Sequence, residues 1–252
     1  MLEVCNLSVN YRHTPAIENV SFTLHSGVAG LFGSNGAGKS TLFKAILGLV
    51  PASGGTVKWG GKPVVEQLDR VAYVPQRSQI DWDYPVTVEK AVMMGRVATT
   101  GWFRQHSRHS RQLVRNALQR VSMWQYRQHQ IGELSGGQQQ RVFIARAIAQ
   151  EADLLLFDEP FNNVDRQTAA IIFEIFAELK AQGKTLLVIS HDLGATVNNY
   201  DRLLLLNKQL IAFGLTENVL TKANINRAYD KYHSFTPQLP TINHSINANL
   251  VN

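Results

Sequence analysis

Residues 33–41 read Gly33-Ser34-Asn35-Gly36-Ala37-Gly38-Lys39-Ser40-Thr41. This stretch fits G-x-x-x-x-G-K-[ST], the pattern of a phosphate-binding loop. The apolar run at 28–32 predicts a short buried strand before it, and 41–47 predicts a helix after it. In that context the backbone N–H groups of the loop surround a phosphate, and the start of the helix adds partial positive charge. Lys39 would reach the β- and γ-phosphates of a nucleotide, and Ser40 would ligate Mg²⁺.

The composition indicates a soluble globular protein. The chain has 252 residues, of which 44% are hydrophobic and 17% charged, and it can bury a substantial core. No apolar run approaches the roughly 20 residues that a membrane-spanning helix needs, and residues 1–6 lack the regions of a signal peptide. A single cysteine, Cys5, excludes an internal disulfide. These features predict a cytosolic protein.

The order of the predicted elements indicates an α/β fold. The N-terminal strands are expected to form an antiparallel edge, whereas the later strands are apolar without alternation, as in parallel strands covered on both faces. A helix at 166–180 joins two of these strands into a βαβ unit. Strands are predicted at 2–7, 20–24, 28–32, 56–59, 71–74, 153–157 and 185–189.

A mostly helical segment interrupts the strands, with helices predicted at 111–121 and 138–149. We therefore expect a P-loop NTPase core with a mostly parallel sheet and an inserted α-helical subdomain. The core would comprise about 1–85 and 151–220, the helical subdomain about 86–150, and the whole domain 1–233. Residues 234–252 are polar and rich in asparagine, which predicts a loosely held C-terminal tail.

Two carboxylates, Asp158 and Glu159, end the apolar strand predicted at 153–157. An aspartate at a strand end can hold Mg²⁺ through water, and Glu159 is placed to take a proton from an attacking water. Strands that end in solvated acids are common, so the pair alone leaves both interpretations open. Its occurrence beside the phosphate loop favours the catalytic one.

A second helix start that could bind phosphate lies at 134–141. Ser135 is a natural N-cap, and Gly136 and Gly137 expose backbone N–H groups. The alternative is a plain capped helix after a turn. The sequence of this stretch is Leu134-Ser135-Gly136-Gly137-Gln138-Gln139-Gln140-Arg141.

Taken together, these residues make the chain resemble the ATP-binding subunit of an ABC transporter. The phosphate loop, the signature that starts at Leu134 and the strand that ends in the acid pair occur in the family's order. Gln76 and His191 match the family's Q-loop and H-loop. The resemblance covers about residues 1–220 and implies an ATPase that uses ATP and Mg²⁺.

The resemblance also implies a head-to-tail homodimer, in which each ATP lies between the Lys39 loop of one subunit and Ser135 to Gln138 of the other. It implies that Gln76 contacts Mg²⁺ and the attacking water, that Asp158 holds Mg²⁺, and that His191 contacts the γ-phosphate. A loop histidine without a role is the alternative for His191.

The resemblance carries expectations for three further residues. Asp165 matches an aspartate that crosses the dimer. Asn163 departs from the small residue that is usual beside it, which leaves the coupling between the two ATP sites open. Tyr11 lies where the family places an aromatic ring that stacks on adenine, and an ordinary surface tyrosine is the alternative.

The chain resembles importers that use a separate membrane permease and a periplasmic or lipoprotein receptor, so we expect it at the cytoplasmic face of the membrane. Residues 74–88, 93–96 and 101–104 resemble the manganese, zinc and iron importer group. The surface from Gln79 to Tyr84, with Trp82, is expected to dock the permease. An importer ATPase for another small solute, such as an iron-siderophore, is the alternative.

Residues 91–130 contain seven arginines and no acidic residue. This block could be a solvated helical face, or it could lie near anionic lipid or acidic loops of the permease. The block could also bind nucleic acid, and a nucleic-acid or ribosome-associated ABC ATPase is the rival interpretation of the chain. No nucleic-acid partner is expected, because the long coiled coil, zinc modules or second cassette of such ATPases are missing from the sequence. His106 and His109 are interpreted as solvated residues, and Met93 and Met94 as packing residues rather than metal ligands.

Overall fold

The computed structural model of the chain describes residues 1–82, 84–101 and 106–229. The strands are β1 (Leu2–Tyr11), β2 (Thr14–Leu24), β3 (Gly27–Phe32), β4 (Gly54–Trp59), β5 (Lys62–Pro63), β6 (Val71–Val74), β7 (Leu154–Asp158), β8 (Thr185–Ile189), β9 (Arg202–Asn207) and β10 (Gln209–Gly214). The helices are α1 (Lys39–Ile46), α2 (Val88–Met93), α3 (Val97–Thr100), α4 (Arg108–Arg120), α5 (Gly136–Ala149), α6 (Arg166–Ala181), α7 (Thr216–Val219) and α8 (Lys222–Ala228). Short 3₁₀ helices cover Val64–Glu66, Leu68–Arg70, Arg77–Gln79, Met94–Arg96, Trp124–Tyr126, Ile131–Glu133 and Ala195–Asn199.

The N-terminal antiparallel strands form a sheet of their own, with the order β2-β1-β4-β5. Both β1 and β2 extend beyond the predicted 2–7 and 20–24. They do so because Val9 and Ile17 are also buried, and these two residues pair across the strands. The antiparallel hairpin therefore continues almost to the turn between Tyr11 and Thr14.

The second sheet has the order β10-β9-β3-β8-β7-β6, and its neighbours from β9 to β6 are parallel. Helix α6 connects the parallel pair β7 and β8, which confirms the predicted βαβ unit. Strand β10, which is antiparallel to β9, was not predicted. Its residues are mostly only partly buried, and Leu210 and Phe213 pack against the core that includes the antiparallel sheet.

The unbroken apolar run of β7 is explained by burial on both faces of the sheet. Leu154 and Leu156 belong to a core that includes the antiparallel sheet and α1. Leu155 and Phe157 belong to the other core, which includes α5 and α6. Since successive side chains of a strand point to opposite faces, a strand covered on both faces is apolar throughout.

Helices α2 to α5 lie between β6 and β7, which places a helical region within the α/β core. Helices α4 and α5 begin earlier than predicted, because serines cap them. The Ser107 hydroxyl accepts the N–H of Ser110 at 3.0 Å, and the Ser135 hydroxyl accepts the N–H of Gln138 at 3.4 Å.

The domain boundaries at 86 and 150 stay predictions, and the tail at 234–252 lies outside the described residues. Nowhere in the described ranges is a helix both long and apolar enough to cross a membrane.

The arginine-rich block is only partly a solvated surface. Arg96 is buried at the C-terminus of α5, where its Nη1 donates to the Ala149 carbonyl oxygen at 2.9 Å and to Glu151 Oε2 at 3.0 Å. A cation at the carbonyl end of a helix is favourable. Arg104 lies outside the described residues. Elsewhere in the block, Arg120 pairs with Glu178, Arg115 and Arg127 both lie over the Trp124 ring, and Arg108 and Arg111 are exposed.

Candidate functional site

The loop at residues 33–38 joins β3 to α1 and is tightly packed on two sides. A Cβ atom on Gly33 would lie 2.1 Å from the Leu206 carbonyl oxygen, and one on Gly38 would lie 2.4 Å from Ile17 Cγ2. A Cβ on Gly36 would meet nothing within 4 Å, although its φ of +81° still favours glycine. The loop is therefore clamped between β9 and β2 and open at Gly36.

Lys39 is the first residue of α1 and is only 6% exposed. Its Nζ donates to the carbonyl oxygens of Gly33 at 2.7 Å and Ser34 at 2.9 Å. Burial lowers the pKa of the Lys39 ammonium, and the nearby Glu159 and Asp158 carboxylates partly oppose that shift. The loop thus holds a nearly buried cation at the start of a helix, which is a favourable place for phosphate oxygens.

The other predicted residues gather at the same edge of the parallel sheet. Gln76 follows β6, Asp158 ends β7, Glu159 follows it, and His191 comes two residues after β8. The phosphate loop leaves β3 at this edge as well. Because the carboxyl ends of parallel strands lie together, residues that are far apart in sequence converge there.

Glu159 is the centre of this group and its side chain is 12% exposed. Gln76 Nε2 donates to Glu159 Oε2 at 2.6 Å, Asn162 Nδ2 lies 3.4 Å from the same oxygen, and His191 Nε2 contacts Oε1. The φ of Glu159 is +54°, a strained value for a residue with a side chain and one that is enriched at functional sites. The neighbours of Glu159 thus hold its carboxylate in place, and in this position the carboxylate can accept a proton.

Asp158 fits the role of a Mg²⁺ ligand. Its Oδ1 is buried and has no hydrogen-bond partner among the described residues, which is costly unless a cation is bound there. Burial raises the pKa of the Asp158 carboxyl and the Glu159 charge raises it further, whereas hydrogen bonds from Ser40 and Tyr73 lower it. Mg²⁺ prefers oxygen ligands, and the Asp158 carboxylate and Ser40 hydroxyl supply them side by side.

The signature residues form the capped start of α5. Ser135 accepts the N–H of Gln138 as described above, and its own N–H donates to Gln138 Oε1 at 2.8 Å. A Cβ on Gly136 would lie 3.2 Å from Arg77 Cζ, and one on Gly137 would lie 3.0 Å from Thr168 Oγ1. The start of α5 is therefore fixed by its capping bonds and by neighbours from two other segments.

The remaining predicted residues have defined places. Tyr11 is 47% exposed at the end of β1, in the same hairpin as Ile17, which contacts the phosphate loop at Gly38. Asp165 caps α6 by accepting the N–H of Thr168 at 2.6 Å, and this bond holds its pKa below the usual range. Asn163 has a φ of +57°.

Two site residues were not singled out from the sequence. The Tyr73 hydroxyl donates to Asp158 Oδ2 at 3.4 Å, and Asn162 contacts Glu159. Burial and the Asp158 charge raise the pKa of the Tyr73 hydroxyl far above its ordinary value, so it remains a donor. A polar tyrosine within an apolar strand was a usable signal for Tyr73, whereas the sequence around Asn162 carried none for its contact with Glu159.

The profile of the family described as ABC transporter matches residues 17–162. The chain belongs to this family. It carries the ATP-binding cassette and is an ATPase. It is 49% identical over 230 residues to the manganese transport system ATP-binding protein MntB of Halalkalibacterium halodurans, covering 91% of this chain and 92% of that protein.

A second relative of this ABC ATPase is the zinc transport system ATP-binding protein TroB of Treponema pallidum, 45% identical over 229 residues, with 90% of this chain and 86% of that protein covered. Among solved structures, the ADP conformation of an ATP-binding cassette of an ABC transporter superposes with a TM-score of 0.78 at 27% identity. That similarity covers 90% of this chain and 97% of the cassette. The mixed α/β fold with its antiparallel sheet and helical region is thus the fold of the family.

We expect Lys39→Ala to reduce ATP hydrolysis by roughly 10²–10³-fold, the scale seen when one preorganised group is removed from developing charge. The loop would lose the cation that it holds beside the phosphates. Phosphate release from ATP, measured on the purified chain, checks this. Lys44→Ala removes the same charge from the last turn of the same helix and should leave the rate unchanged. Hydrolysis by Lys39→Ala at the wild-type rate would contradict the expectation.

Proposed function

We propose that this ATPase powers the import of a divalent transition-metal ion, manganese or zinc, through a separate membrane permease. The observation that carries the proposal is the similarity to relatives named as manganese and zinc transport system ATP-binding proteins, which extends over about nine tenths of the chain. The transported ion is the cargo of the complex and need not touch this subunit. A metal-binding receptor would deliver it to the permease from the other side of the membrane.

We further propose that the chain sits peripherally at the cytoplasmic face of the membrane and docks the permease through the surface at 79–84. A groove of about 300 Å³ beside this surface supports the proposal, because it is lined by apolar side chains that include Ile80, Val86 and Phe143. Tyr84, at 60% exposure, also lines it. Trp82 packs inward, with its ring centroid 5.3 Å from that of Phe143. Asp83 and residues 102–105 lie outside the described residues.

In the proposed reaction, the loop N–H groups and Lys39 bind the β- and γ-phosphates of ATP. Ser40 and Asp158 would hold Mg²⁺, with Gln76 beside it. Mg²⁺ there would neutralise charge on the phosphoryl group that is transferred. Tyr11 would stack on adenine, a contact that depends only on the flat face of the base.

Glu159 is the proposed general base. Its carboxylate would take a proton from a water molecule as the water oxygen forms a bond to the γ-phosphorus and the bond to ADP breaks. Gln76 and His191 hold the two carboxylate oxygens and so limit the directions in which the side chain can turn. His191 would also contact the γ-phosphate, since its side chain is partly exposed at the same edge.

We propose that two chains associate head to tail when ATP binds. Ser135 and the N–H groups at Gly136, Gly137 and Gln138 would then bind the γ-phosphate held by the partner's loop. The support is the capped, exposed helix start at Ser135, because the N-terminus of a helix favours anions. Bound ATP would hold the two subunits together until it is hydrolysed.

Glu159→Gln should separate nucleotide binding from turnover. The amide keeps the shape of the side chain but cannot accept the proton, so we expect hydrolysis to fall by roughly 10²–10⁴-fold. We expect a stable dimer in ATP and Mg²⁺ and a monomer in ADP, measured by size-exclusion chromatography with light scattering. Glu174→Gln, an exposed position on α6, is the matched control and should behave like the wild type. Wild-type hydrolysis by Glu159→Gln would transfer the role of base to another group.

Tyr84→Ala should weaken the association with the permease, because it removes the exposed ring from the apolar groove. The measurement is the amount of multi-span membrane protein that co-purifies with the tagged chain from its own membranes. Leu68→Ala, another exposed apolar side chain, should leave that amount unchanged. Undiminished co-purification with Tyr84→Ala would remove this surface from the docking site.

Deletion of the gene should lower cellular manganese or zinc when these metals are scarce, because ATP-driven import would stop. Elemental analysis of cells grown in chelated medium checks the expectation. The wild-type gene should restore the metal content, and the Lys39→Ala gene should not. Unchanged metal content together with loss of uptake of an organic solute, such as an iron-siderophore, would show that the cargo assignment is wrong.

A further inference from the structure

We propose that Arg77 is a positioning residue that sets the start of α5 and connects it to the docking surface. The inference rests on the proposed role of Ser135 to Gln138 in binding the partner's ATP. Arg77 would connect the docking surface to α5, whereas its neighbour Gln76 contacts Glu159. Together, the two adjacent residues would link the docking surface to both ATP sites of the dimer.

The contacts of Arg77 with α5 are close and specific. Its Nε donates to Gln139 Oε1 at 2.9 Å, and Gln139 in turn donates through Nε2 to the Ile131 carbonyl oxygen at 3.1 Å. The guanidinium group lies against Gly136, where a Cβ would be 3.2 Å from Cζ and 3.3 Å from Nη1. Arg77 therefore contacts the helix at its first residue and again one turn later.

Trp82 contacts both the backbone and the side chain of Arg77. The indole Nε1 donates to the Arg77 carbonyl oxygen at 3.0 Å, and Arg77 Cζ lies 5.6 Å from the centroid of the Trp82 ring. The Trp82 ring packs edge-on against Phe143, another residue of α5. A shift of Trp82 would thus move Arg77 through both its backbone and its side chain.

The adjacent residues Gln76 and Arg77 contact different groups. Gln76 donates to Glu159, the proposed base for the ATP held by the same chain. Arg77 contacts the start of α5, which is proposed to bind the ATP held by the partner chain. Since the two residues are joined by one peptide bond, permease docking at the surface 79–84, transmitted through Trp82, would act on both ATP sites together.

The geometry favours a positioning role over a direct electrostatic one. The Arg77 Nε is hydrogen-bonded to Gln139, which leaves the flat face of the guanidinium group for contact with Gly136 and the Trp82 ring. Lysine carries the same charge but has neither the planar group nor the Nε donor. Lysine should therefore fail to replace Arg77 if position matters, and it should succeed if charge alone matters.

The first experiment measures ATP-driven dimerisation in the Glu159→Gln background. We expect Arg77→Met and Arg77→Lys each to raise the ATP concentration at half-dimerisation about tenfold, as expected for the loss of a charge-assisted hydrogen bond. The affinity of the monomer for ADP should stay within about twofold, because the phosphate loop is untouched. Arg111→Met, which removes an exposed arginine from the same helical region, is the matched control and should leave both values unchanged.

The second experiment measures hydrogen exchange in the monomer, at the amides of residues 136–143. Arg77→Met and Arg77→Lys should accelerate exchange there about tenfold, whereas Arg111→Met should not. Full rescue of dimerisation by Arg77→Lys, or unchanged exchange at 136–143 in Arg77→Met, would overturn the positioning role. If the Glu159→Gln parent stays monomeric in ATP, the proposed dimer fails, and the exchange measurement alone decides the role of Arg77.

Discussion

The close packing of the phosphate loop is the constraint on which the rest of the site depends. Gly33 and Gly38 leave no room for a side chain between β9 and β2. The turn after β9 strengthens this clamp, because the Lys208 N–H donates to the Ala37 carbonyl oxygen at 2.8 Å and the Lys208 carbonyl accepts the N–H of Glu18 at 2.8 Å. A loop held by backbone contacts on both sides can keep its N–H groups in place without a ligand, so little ordering remains to be done when phosphate binds.

A group of charged side chains lies beside the clamped loop, at the edge of the parallel sheet. Lys39 is nearly enclosed, and Asp158 has a buried oxygen that no described side chain or backbone group satisfies. The three charges of Lys39, Asp158 and Glu159 influence one another, since the carboxylates oppose the effect of burial on the Lys39 pKa. Buried charges are costly unless they are compensated. The site is therefore suited to a ligand that brings both negative phosphates and a cation.

Within the helical region, helix α5 is held near both of its ends. The capping bonds of Ser135 hold the helix start, and Arg77 braces it from the segment that follows β6. Arg96 braces the other end of the same helix by binding its last carbonyl groups. Arginines therefore contact α5 near both of its ends, and Arg77 lies next to the proposed docking surface.

The local features of this protein could be predicted from its sequence alone. The spacing of glycines, Lys39 and Ser40 predicted the loop, the apolar runs predicted β3, β7 and β8, and Ser135 predicted a helix cap, because each depends on residues close together in the chain. The roles of the site residues stay predictions, although the structure brings Gln76, Glu159 and His191 into contact.

Only the tertiary structure decided which distant residues meet. Tyr73 reaches Asp158 across 85 positions and Arg77 reaches Gln139 across 62, and no periodicity of the sequence encodes either contact. The same holds for Trp82, whose aromatic ring suggested an exposed anchor and which instead packs on Phe143. The arginines of residues 91–130 look alike in sequence, yet Arg96 is buried and Arg111 is exposed. The physical reason is that hydrogen bonding and burial depend on how strands and helices pack, whereas the sequence pattern reports only which face of its own element a residue occupies.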